Sequence, residues 1–575
     1  MLIVGHLCFW SDVVGGGLFT VLRSCSLRTN GMLPMRSCHS IEAEGFKPTK
    51  GIDGLSALDI VKEYGIPIQR ISLSRGLALN RFEKDFFIYP EYSDTDAAES
   101  MLQLVSALKD DIKAAADQED SVTILWNKYK LSSYAVPKKY GGIDMCHKDL
   151  LTLCEGLGSY WNFYFRFEQT HLAASLILLY GNDEQKSHYL PQIASAVIRP
   201  VLGFSGSEMD SNLHSLTPLY ELIDGKQKMV ATNHFINASD ANLLLVFTKQ
   251  GNLKMEKNLT RNIDKTSYIW CCRHALSEHC NTTLQQNLPL AERNTTKHLM
   301  TKLALNTYVL ESMCYYVGGL RDEGLLLLVD VEEAIVHMCA RRLLSEATSS
   351  TIDVIGLDAA ISDMNFDKLL NEIMAALLFS STKLDFKDFV ASQVITSYAN
   401  AKANIIKQWR SFNKRIYERI FGHVEKAISF HDPKLQHFIA EHAHPSLKEA
   451  CINLEHTMWR LESLLNLLLS YHGKSIISDY SVLRAISKVI EYNFGMVATI
   501  ARSSRSYSIG LRNCDLEVSW AQLYCSEAAN MSMAELRKLY DYFRFERLNS
   551  LHSKIGQSIL NTGGYCIESP VTRNW

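Results

Sequence analysis

The sequence has no excess of either charge. Its 59 Lys and Arg residues nearly balance 62 Asp and Glu residues, which leaves a formal net charge of -3. Proteins that bind a nucleic-acid backbone carry clustered positive charge, so this balance predicts no nucleic-acid partner. The chain also lacks any apolar run of about 18 residues, the length that a membrane-spanning helix needs.

Regular cysteine spacing and the common nucleotide-binding motifs are missing too. The 14 cysteines are scattered over 575 residues, which favours free thiols in a reducing compartment over a disulfide scaffold. Neither a Walker-type loop nor a Gly-x-Gly-x-x-Gly motif occurs, so nucleotide binding through those motifs has no support. The apolar share of 47% is that of an ordinary globular protein.

The N-terminal segment has the composition of a targeting sequence. No acidic residue occurs between Asp12 and Glu42, while arginine and serine recur there. Mitochondrial transit peptides are rich in Arg and Ser and poor in acids. We therefore predict a transit segment over residues 1–50, with a secretory signal or a mis-assigned start as the alternatives.

Helical periodicity dominates the rest of the chain. Apolar residues three and four apart predict helices over 97–118, 122–131 and 148–181. Proline is absent between Pro289 and Pro433, which permits long unbroken helices.

A middle segment has a different pattern of apolar and polar residues. Short apolar stretches bounded by polar residues predict strands at Met229–Thr232 and Leu243–Thr248. Residues 251–297 are polar without a sustained period, and we predict loops there. Within them, Cys271–Cys280 concentrates Cys and His, which zinc accepts as ligands. The spacing lacks a paired Cys-x-x-Cys, so we predict free loop thiols and no metal site.

An apolar helix is predicted near the C-terminus. Cys451, Leu454, Met458, Leu461, Leu465 and Leu468 alternate three and four apart. The spacing favours a helix packed inside the protein. A helix that faces a partner or the membrane surface is the alternative.

Four sequence segments in order resemble the acyl-CoA dehydrogenase family. They are VPKKYGG at 136–142, GNDEQKSHYLPQIAS at 181–195, GFSGSE at 203–208 and ARSSRSYSIGLRNCDLEV at 501–518. The last segment resembles the very-long-chain branch, and most of all the member of that branch that serves as an assembly factor for respiratory complex I.

The resemblance implies a mainly α fold with a small β domain. After the transit segment we expect a helical N-terminal domain, a truncated β domain, a helical bundle and an extra helical C-terminal domain. Their predicted bounds are 82–200, 201–297, 298–430 and 444–575. The β domain is truncated because about fifty residues, between Lys249 and His298, stand where the family has the second half of that domain and the first bundle helix.

The catalytic base implied by the resemblance is missing. The family removes a proton from the α carbon of an acyl thioester with a Glu, and Ser380 occupies that position. An alcohol hardly ionises near neutral pH and is a poor base without an activating partner. Glu372 and Asp385 lie nearby in sequence, and we interpret them as solvated helix charges, because their spacing does not bring either to the position of Ser380. His171 could line an acyl pocket by resemblance, but a structural role is the simpler interpretation.

The expected FAD contacts are also altered. Ser207 keeps a hydroxyl, whereas His234 and Ile236 replace an aromatic ring and a hydroxyl that the family places beside the flavin. In the family three glycines approach the cofactor closely. Only one of them, Gly356, is kept in this sequence. The resemblance therefore implies FAD as the cofactor, with doubtful binding at these positions.

These substitutions predict a non-catalytic mitochondrial protein that acts as a complex I assembly or scaffold factor. The alternative is an active FAD-dependent long-chain acyl-CoA dehydrogenase of fatty acid β-oxidation. A third possibility is that the gene sequence is incomplete across residues 249–298. The implied partners are a second copy, respiratory-chain assembly proteins and, peripherally, the inner membrane.

Overall fold

The computed structural model describes most of residues 72–571 and three short strands between residues 7 and 18. Within the first range, the undescribed stretches longer than five residues are 115–120, 206–219, 235–240, 248–259, 323–328, 357–365, 380–385 and 407–432.

Helices make up most of the described chain. They are α1 (Leu73–Ala78), α2 (Thr95–Ala114), α3 (Ser121–Lys128), α4 (His147–Leu157), α5 (Trp161–Tyr180), α6 (Asp183–Ala194), α7 (Thr260–Thr282), α8 (Asn294–Asp322), α9 (Asp330–Ile355), α10 (Phe366–Phe379), α11 (Phe386–Ala401), α12 (Lys448–Tyr471), α13 (Tyr480–Ser508), α14 (Cys514–Arg544) and α15 (Arg547–Thr562). Helices α2 to α5 confirm the three helical segments predicted first.

The strands are short and few in the described part of the chain. They are β1 (Leu7–Phe9), β2 (Val13–Val14), β3 (Gly17–Leu18), β4 (Pro200–Ser205), β5 (Tyr220–Ile223), β6 (Lys226–Met229), β7 (Asn233–His234), β8 (Leu243–Phe247), β9 (Leu284–Gln285) and β10 (Leu288–Pro289). The predicted strand at Leu243 is confirmed as β8. Of the strand predicted at Met229, only that residue falls in β6, and residues 230–232 lie outside the described residues.

One four-stranded sheet has the order β1-β8-β4-β7. β4 and β8 run parallel, and β1 and β7 pair antiparallel at the two edges. Leu243 and Leu245 of β8 are buried with apolar residues of α5 and α6. A strand buried in this way needs apolar residues rather than a strict alternation, which explains the Leu-Leu-Leu-Val-Phe sequence.

The chain forms two compact units. The first comprises Met1–Ser72 and Tyr89–Phe386, and the second comprises Leu73–Ile88 and Lys387–Trp575. In the first unit, α2 packs on α4 at Gly156. A Cβ at Gly156 would lie 2.3 Å from Val105 Cγ1, so the close approach of these helices requires glycine.

Within the predicted loop region 251–297, helix α7 overturns the prediction for residues 260–282, and residues 251–259 lie outside the described residues. Its buried residues Tyr268, Ile269, Cys272, Leu276 and Cys280 recur three and four apart. The period was missed because two of these positions are cysteines, which behave as small apolar residues when buried. The helical bundle therefore begins at Thr260, and α7 packs against α8 and α9.

Helix α12 confirms the prediction of a helix packed inside the protein. The six side chains that define its apolar spacing are each at most 1% exposed. They are unavailable to a membrane or a partner unless the domain opens, and peripheral contact with the inner membrane stays a prediction. Among the described residues, no helix has the length and apolarity that a bilayer crossing demands.

The second unit incorporates a segment from far upstream. α1 packs on α12 and α13, with Leu77 completely buried. Arg75 donates from Nε to Ser397 Oγ at 3.2 Å. His437 Nε2 lies 2.8 Å from the carbonyl oxygen of Asn80. The upstream segment thus contributes a short helix to the core of the second unit.

Candidate functional site

The expected base position follows directly on helix α10. α10 ends at Phe379, and Ser380 and Asp385 lie outside the described residues. Glu372 lies about two turns earlier on α10. This residue is half-buried rather than a solvated charge as predicted, and burial raises its pKa to about 7.

Glu372 belongs to a cluster of weakly acidic groups between helices. Burial, and then the charges of Cys272 and Glu372, raises the pKa of Cys271 to about 12. Burial, and then the charge of Cys271, raises the pKa of Tyr160. These groups come from α10, α7 and the turn before α5. At neutral pH the thiol and the phenol are therefore protonated, and Glu372 is the one member poised to exchange a proton.

The predicted thiol-rich segment lies in the core. Cys272 and Cys280 are at most 1% exposed, and burial raises the pKa of Cys272 to about 11. These thiols lie on helix α7 rather than in a loop. Among the described residues, no three His, Cys, Asp or Glu side chains come together as a metal site requires.

Gly356 terminates α9. Its backbone has φ of 64° and ψ of -136°, and its N–H donates to the carbonyl oxygen of Ile352 at 2.8 Å. Residues with a side chain are strained in this conformation. The end of the helix therefore favours glycine at this position.

The flavin-contact positions are only partly described. β7 brings the backbone of His234 opposite Phe204 of β4. Ser207 and Ile236 lie outside the described residues. The opposition of β4 and β7 nevertheless places the two predicted contact segments next to each other in the chain's small sheet.

The chain length between β8 and α7 tests whether FAD fits. β8 ends at Phe247 and α7 begins at Thr260, which leaves residues 248–259 between them. With a typical strand of about five residues, twelve positions hold one hairpin at most, not the half domain expected there. The resemblance also implies a hydroxyl beside the flavin where this chain has the hydrocarbon Ile236.

A second polar cluster lies where α4 meets α8. Asp322 accepts from the backbone N–H of His147 at 2.6 Å and of Lys148 at 3.1 Å. His147 Nδ1 lies 3.0 Å from the same carboxylate. Burial alone would raise the pKa of Asp322, but these hydrogen bonds hold it below the ordinary value. The carboxylate therefore caps α4 and fixes it against α8.

His171 lies near that cluster. Burial, assisted by the charges of His147 and Arg321, lowers the pKa of His171 to about 4. Its ring stacks on Phe167 with centroids 6.3 Å apart, and Nδ1 has no hydrogen-bond partner in the described part of the chain. The imidazole is neutral at physiological pH, so it cannot attract an anionic ligand by charge.

Sequence reasoning missed the chemical character of Glu372 and the role of Asp322. The sequence did contain a signal for the role of Asp322, because an acidic residue that ends one long helix can cap the start of another. No sequence signal marks Glu372, since its pKa depends on how α7 packs against α10.

Three domain families match the chain in order. The acyl-CoA dehydrogenase N-terminal domain matches residues 107–196. The acyl-CoA dehydrogenase C-terminal domain matches residues 266–380. The ACAD9/ACADV C-terminal domain matches residues 445–565. The shortened sheet lies mostly between the first two matches.

Individual relatives agree with these matches. The mitochondrial very long-chain specific acyl-CoA dehydrogenase of Rattus norvegicus is 20% identical over 287 residues, which cover 47% of this chain and 41% of the rat protein. The match thus spans less than half of that relative. The FAD complex of an acyl-CoA dehydrogenase from Bacillus anthracis superposes with a TM-score of 0.60 at 13% identity, covering 86% of this chain and 96% of that one. At this identity the likeness shows the fold.

The order of the matched domains, the match over the C-terminal residues 445–565 and the fold all indicate the same family. The chain belongs to the acyl-CoA dehydrogenase family, in the branch that carries the ACAD9/ACADV C-terminal domain.

Proposed function

We propose that this protein is a non-catalytic member of its family that serves as an assembly factor for respiratory complex I. The observation that carries the proposal is the passage from β8 to α7 in the twelve residues 248–259. The helices around this passage keep their buried cores, whereas the half domain that would complete a flavin site has no room.

The chemistry of the base position supports the same proposal. Abstraction of a carbon-bound proton needs a carboxylate within hydrogen-bond reach of it. Ser380 offers an alcohol instead. A protein without the base and with a poor flavin site can still present a surface to partners, as an assembly factor must.

A surface suited to a protein partner lies at the turn between α13 and α14 and at the start of α14. Ile509 and Leu516 are 51% exposed and Leu511 is 43% exposed. Positive φ angles at Gly510 and Asn513, and a 2.9 Å hydrogen bond from the N–H of Leu511 to Ser506, fix the turn. Exposed aliphatic groups on a fixed backbone are typical of protein-binding surfaces.

The proposed compartment is the mitochondrion, in the matrix or peripherally on the inner membrane. The predicted transit segment over residues 1–50 supports it, and the rat relative is named as mitochondrial. Imaging of the full chain with a C-terminal tag tests the location. A secretory pattern would contradict it.

Visible absorbance of the purified full chain tests the absence of a flavin. We expect no band of stoichiometric flavin, and no dye reduction with palmitoyl-CoA as substrate. A bound flavin together with palmitoyl-CoA-dependent dye reduction would refute the proposal.

Restoring the acid alone should not restore turnover. In Ser380→Glu the base would return, but the hydride acceptor would still be poorly held. We therefore expect dye reduction to stay at background in this variant. Turnover in Ser380→Glu would show that the flavin site is intact and that the serine alone is responsible.

A partner test addresses the assembly role. The full chain should co-purify respiratory-chain assembly proteins from mitochondria, and Leu511→Glu should reduce their yield. Leu523→Glu is the matched control, because Leu523 is a similarly exposed leucine farther along α14. Equal yields from both variants would reject the turn as the binding surface.

Glu372 supports a second candidate function, an active acyl-CoA dehydrogenase with a relocated base. A carboxyl with a pKa near 7 is well suited to general base catalysis at neutral pH. If the purified protein turns over palmitoyl-CoA, Glu372→Gln should abolish that activity. Asp367→Asn, at an exposed acid in the first turn of the same helix, should leave it unchanged.

A further inference from the structure

Two arginines of the first unit lie near each other where the small sheet begins. Arg166 is on α5, and Arg199 directly precedes β4, the strand against which α5 packs. Both side chains are half-buried. Burial, and then the charge of Arg166, lowers the pKa of Arg199 to about 10. The two guanidinium groups are therefore close enough to repel each other, yet both are protonated at neutral pH.

The guanidinium group of Arg166 is held by α3. Its Cζ lies 4.7 Å from the centroid of the Trp126 ring, a cation–π contact that is strengthened when both groups are removed from water. Its Nη1 donates to Thr123 Oγ1 at 3.4 Å. The Trp126 ring is itself fixed, because it is buried and its Nε1 donates to Ser132 Oγ at 2.7 Å. The position of Arg166 is thus set by the fold.

The backbone that carries Arg199 is held by the start of β8. Its N–H donates to Asn242 Oδ1 at 2.6 Å, and its carbonyl oxygen accepts from the N–H groups of Asn242 at 3.2 Å and Leu243 at 3.3 Å. Asn242 Nδ2 donates to the carbonyl oxygen of Val197 at 2.8 Å. Leu243 is buried in the core that also contains residues of α5. These bonds fix the point from which the Arg199 side chain leaves, relative to the helix of Arg166.

Like charges that are partly removed from water cost free energy, and an anion between them turns the repulsion into attraction. The planar fork of arginine matches the oxygens of phosphate, which two guanidinium groups can bind by charge-assisted hydrogen bonds. The Trp126 ring is buried under Arg166, so it offers no open face to a nucleobase. The arrangement therefore favours a small phosphate-type anion over a nucleotide.

We propose that Arg166 and Arg199 together bind a small phosphate-type anion, either free or as a monoester. This site is separate from the predicted flavin contacts. Phe204, which lies opposite His234, is five residues further along β4 than Arg199, a distance of about 16 Å for an extended strand. Anion binding here is therefore independent of whether the protein binds a flavin.

Thermal unfolding of the full chain during a titration with inorganic phosphate tests the site, with sodium chloride adjusted to keep the ionic strength constant. The melting temperature should rise with phosphate, because a ligand that binds the folded state stabilises it. Arg199→Gln should weaken the apparent phosphate affinity roughly tenfold, since charge-assisted hydrogen bonds are lost. Lys139→Gln is the matched control, because it removes the same charge from an exposed position of the same unit. Methyl phosphate in a parallel titration distinguishes a monoester from the free anion.

The phosphate-free buffer separates a ligand site from a pair of charges satisfied within the chain. There Arg199→Gln should melt at the same temperature as the unmodified protein or higher, because the repulsion from Arg166 is relieved. A lower melting temperature would mean that Arg199 is paired inside the protein, and it would overturn the proposal. The proposal also fails if neither phosphate nor methyl phosphate raises the melting temperature, or if Arg199→Gln and Lys139→Gln respond equally to them.

Discussion

Helices α12 and α10 show how packing and chemistry respond differently to substitution. In α12 the six positions of the apolar spacing are filled with Leu, Met and Cys, and all are buried. In α10 the apolar face is also kept, with Ile373 and Ala376 buried. Yet Ser380, which follows its last residue and which we propose stands at the base position, carries an alcohol instead of a carboxylate. A core accepts any apolar residue of suitable volume, whereas proton transfer needs one type of group at one place.

The largest loss of stability is expected from a cavity created in the buried face of α12. Leu454 is 0% exposed, so Leu454→Ala should lower the free energy of unfolding by about 2–5 kcal/mol. Leu523→Ala, at a 40% exposed leucine of α14, should change it by about 0.5 kcal/mol or less. Urea denaturation of the full chain followed by circular dichroism measures both. Similar losses would mean that α12 is not the core of its domain.

The cap on α4 should have an intermediate effect. Asp322→Asn removes the charge that accepts from two backbone N–H groups, and we expect a loss of about 1–2 kcal/mol at pH 7. The folded-state pKa of Asp322 lies below that in the unfolded chain. Its contribution is therefore complete above about pH 4 and disappears as the pH falls through the lower folded value.

Urea unfolding of Asp322→Asn at pH 7 and pH 3 checks this sign. The difference in the free energy of unfolding between the variant and the unmodified protein should be smaller at pH 3 than at pH 7. Asp183→Asn, at an exposed acid in the first turn of α6, is the control. A loss that stays constant with pH would show that the side chain acts through packing rather than charge.

The smallest effect concerns Glu372. Its folded pKa of about 7 is above that of an unfolded Glu, about 4.3. The folded state therefore loses stability as the pH rises from about 4.5 to 7.5, because the buried carboxyl must then ionise. Over that pH range, Glu372→Gln should raise the free energy of unfolding by about 1 kcal/mol relative to the unmodified protein. The figure is kept small because the side chain is partly exposed to solvent.

Denaturation midpoints at several pH values measure this gain. Asp367→Asn on the same helix should not reproduce it. A flat difference for Glu372→Gln would place the carboxyl in water, and it would also remove the support for a relocated base.

Much of the helical architecture was predictable from apolar spacing, as α5 and α12 show. Helix α7 was missed because its stripe includes two cysteines among charged and polar residues. The base position could be located by resemblance, because it depends on sequence order. The pKa of Glu372 could not, since it depends on packing between helices that are distant in sequence. The same applies to Leu73–Ile88, whose burial depends on α13 far downstream.

The incorporation of Leu73–Ile88 into the C-terminal unit has a consequence for biosynthesis. This segment leaves the ribosome about 400 residues before α13 is complete, a wait of roughly 20–80 s at ordinary elongation rates. During that time Leu77 and Phe86, buried in the finished protein, have no partner helix to cover them. Newly made chains should therefore depend on chaperones, and a fragment that starts at Lys387 should aggregate unless the missing peptide is supplied.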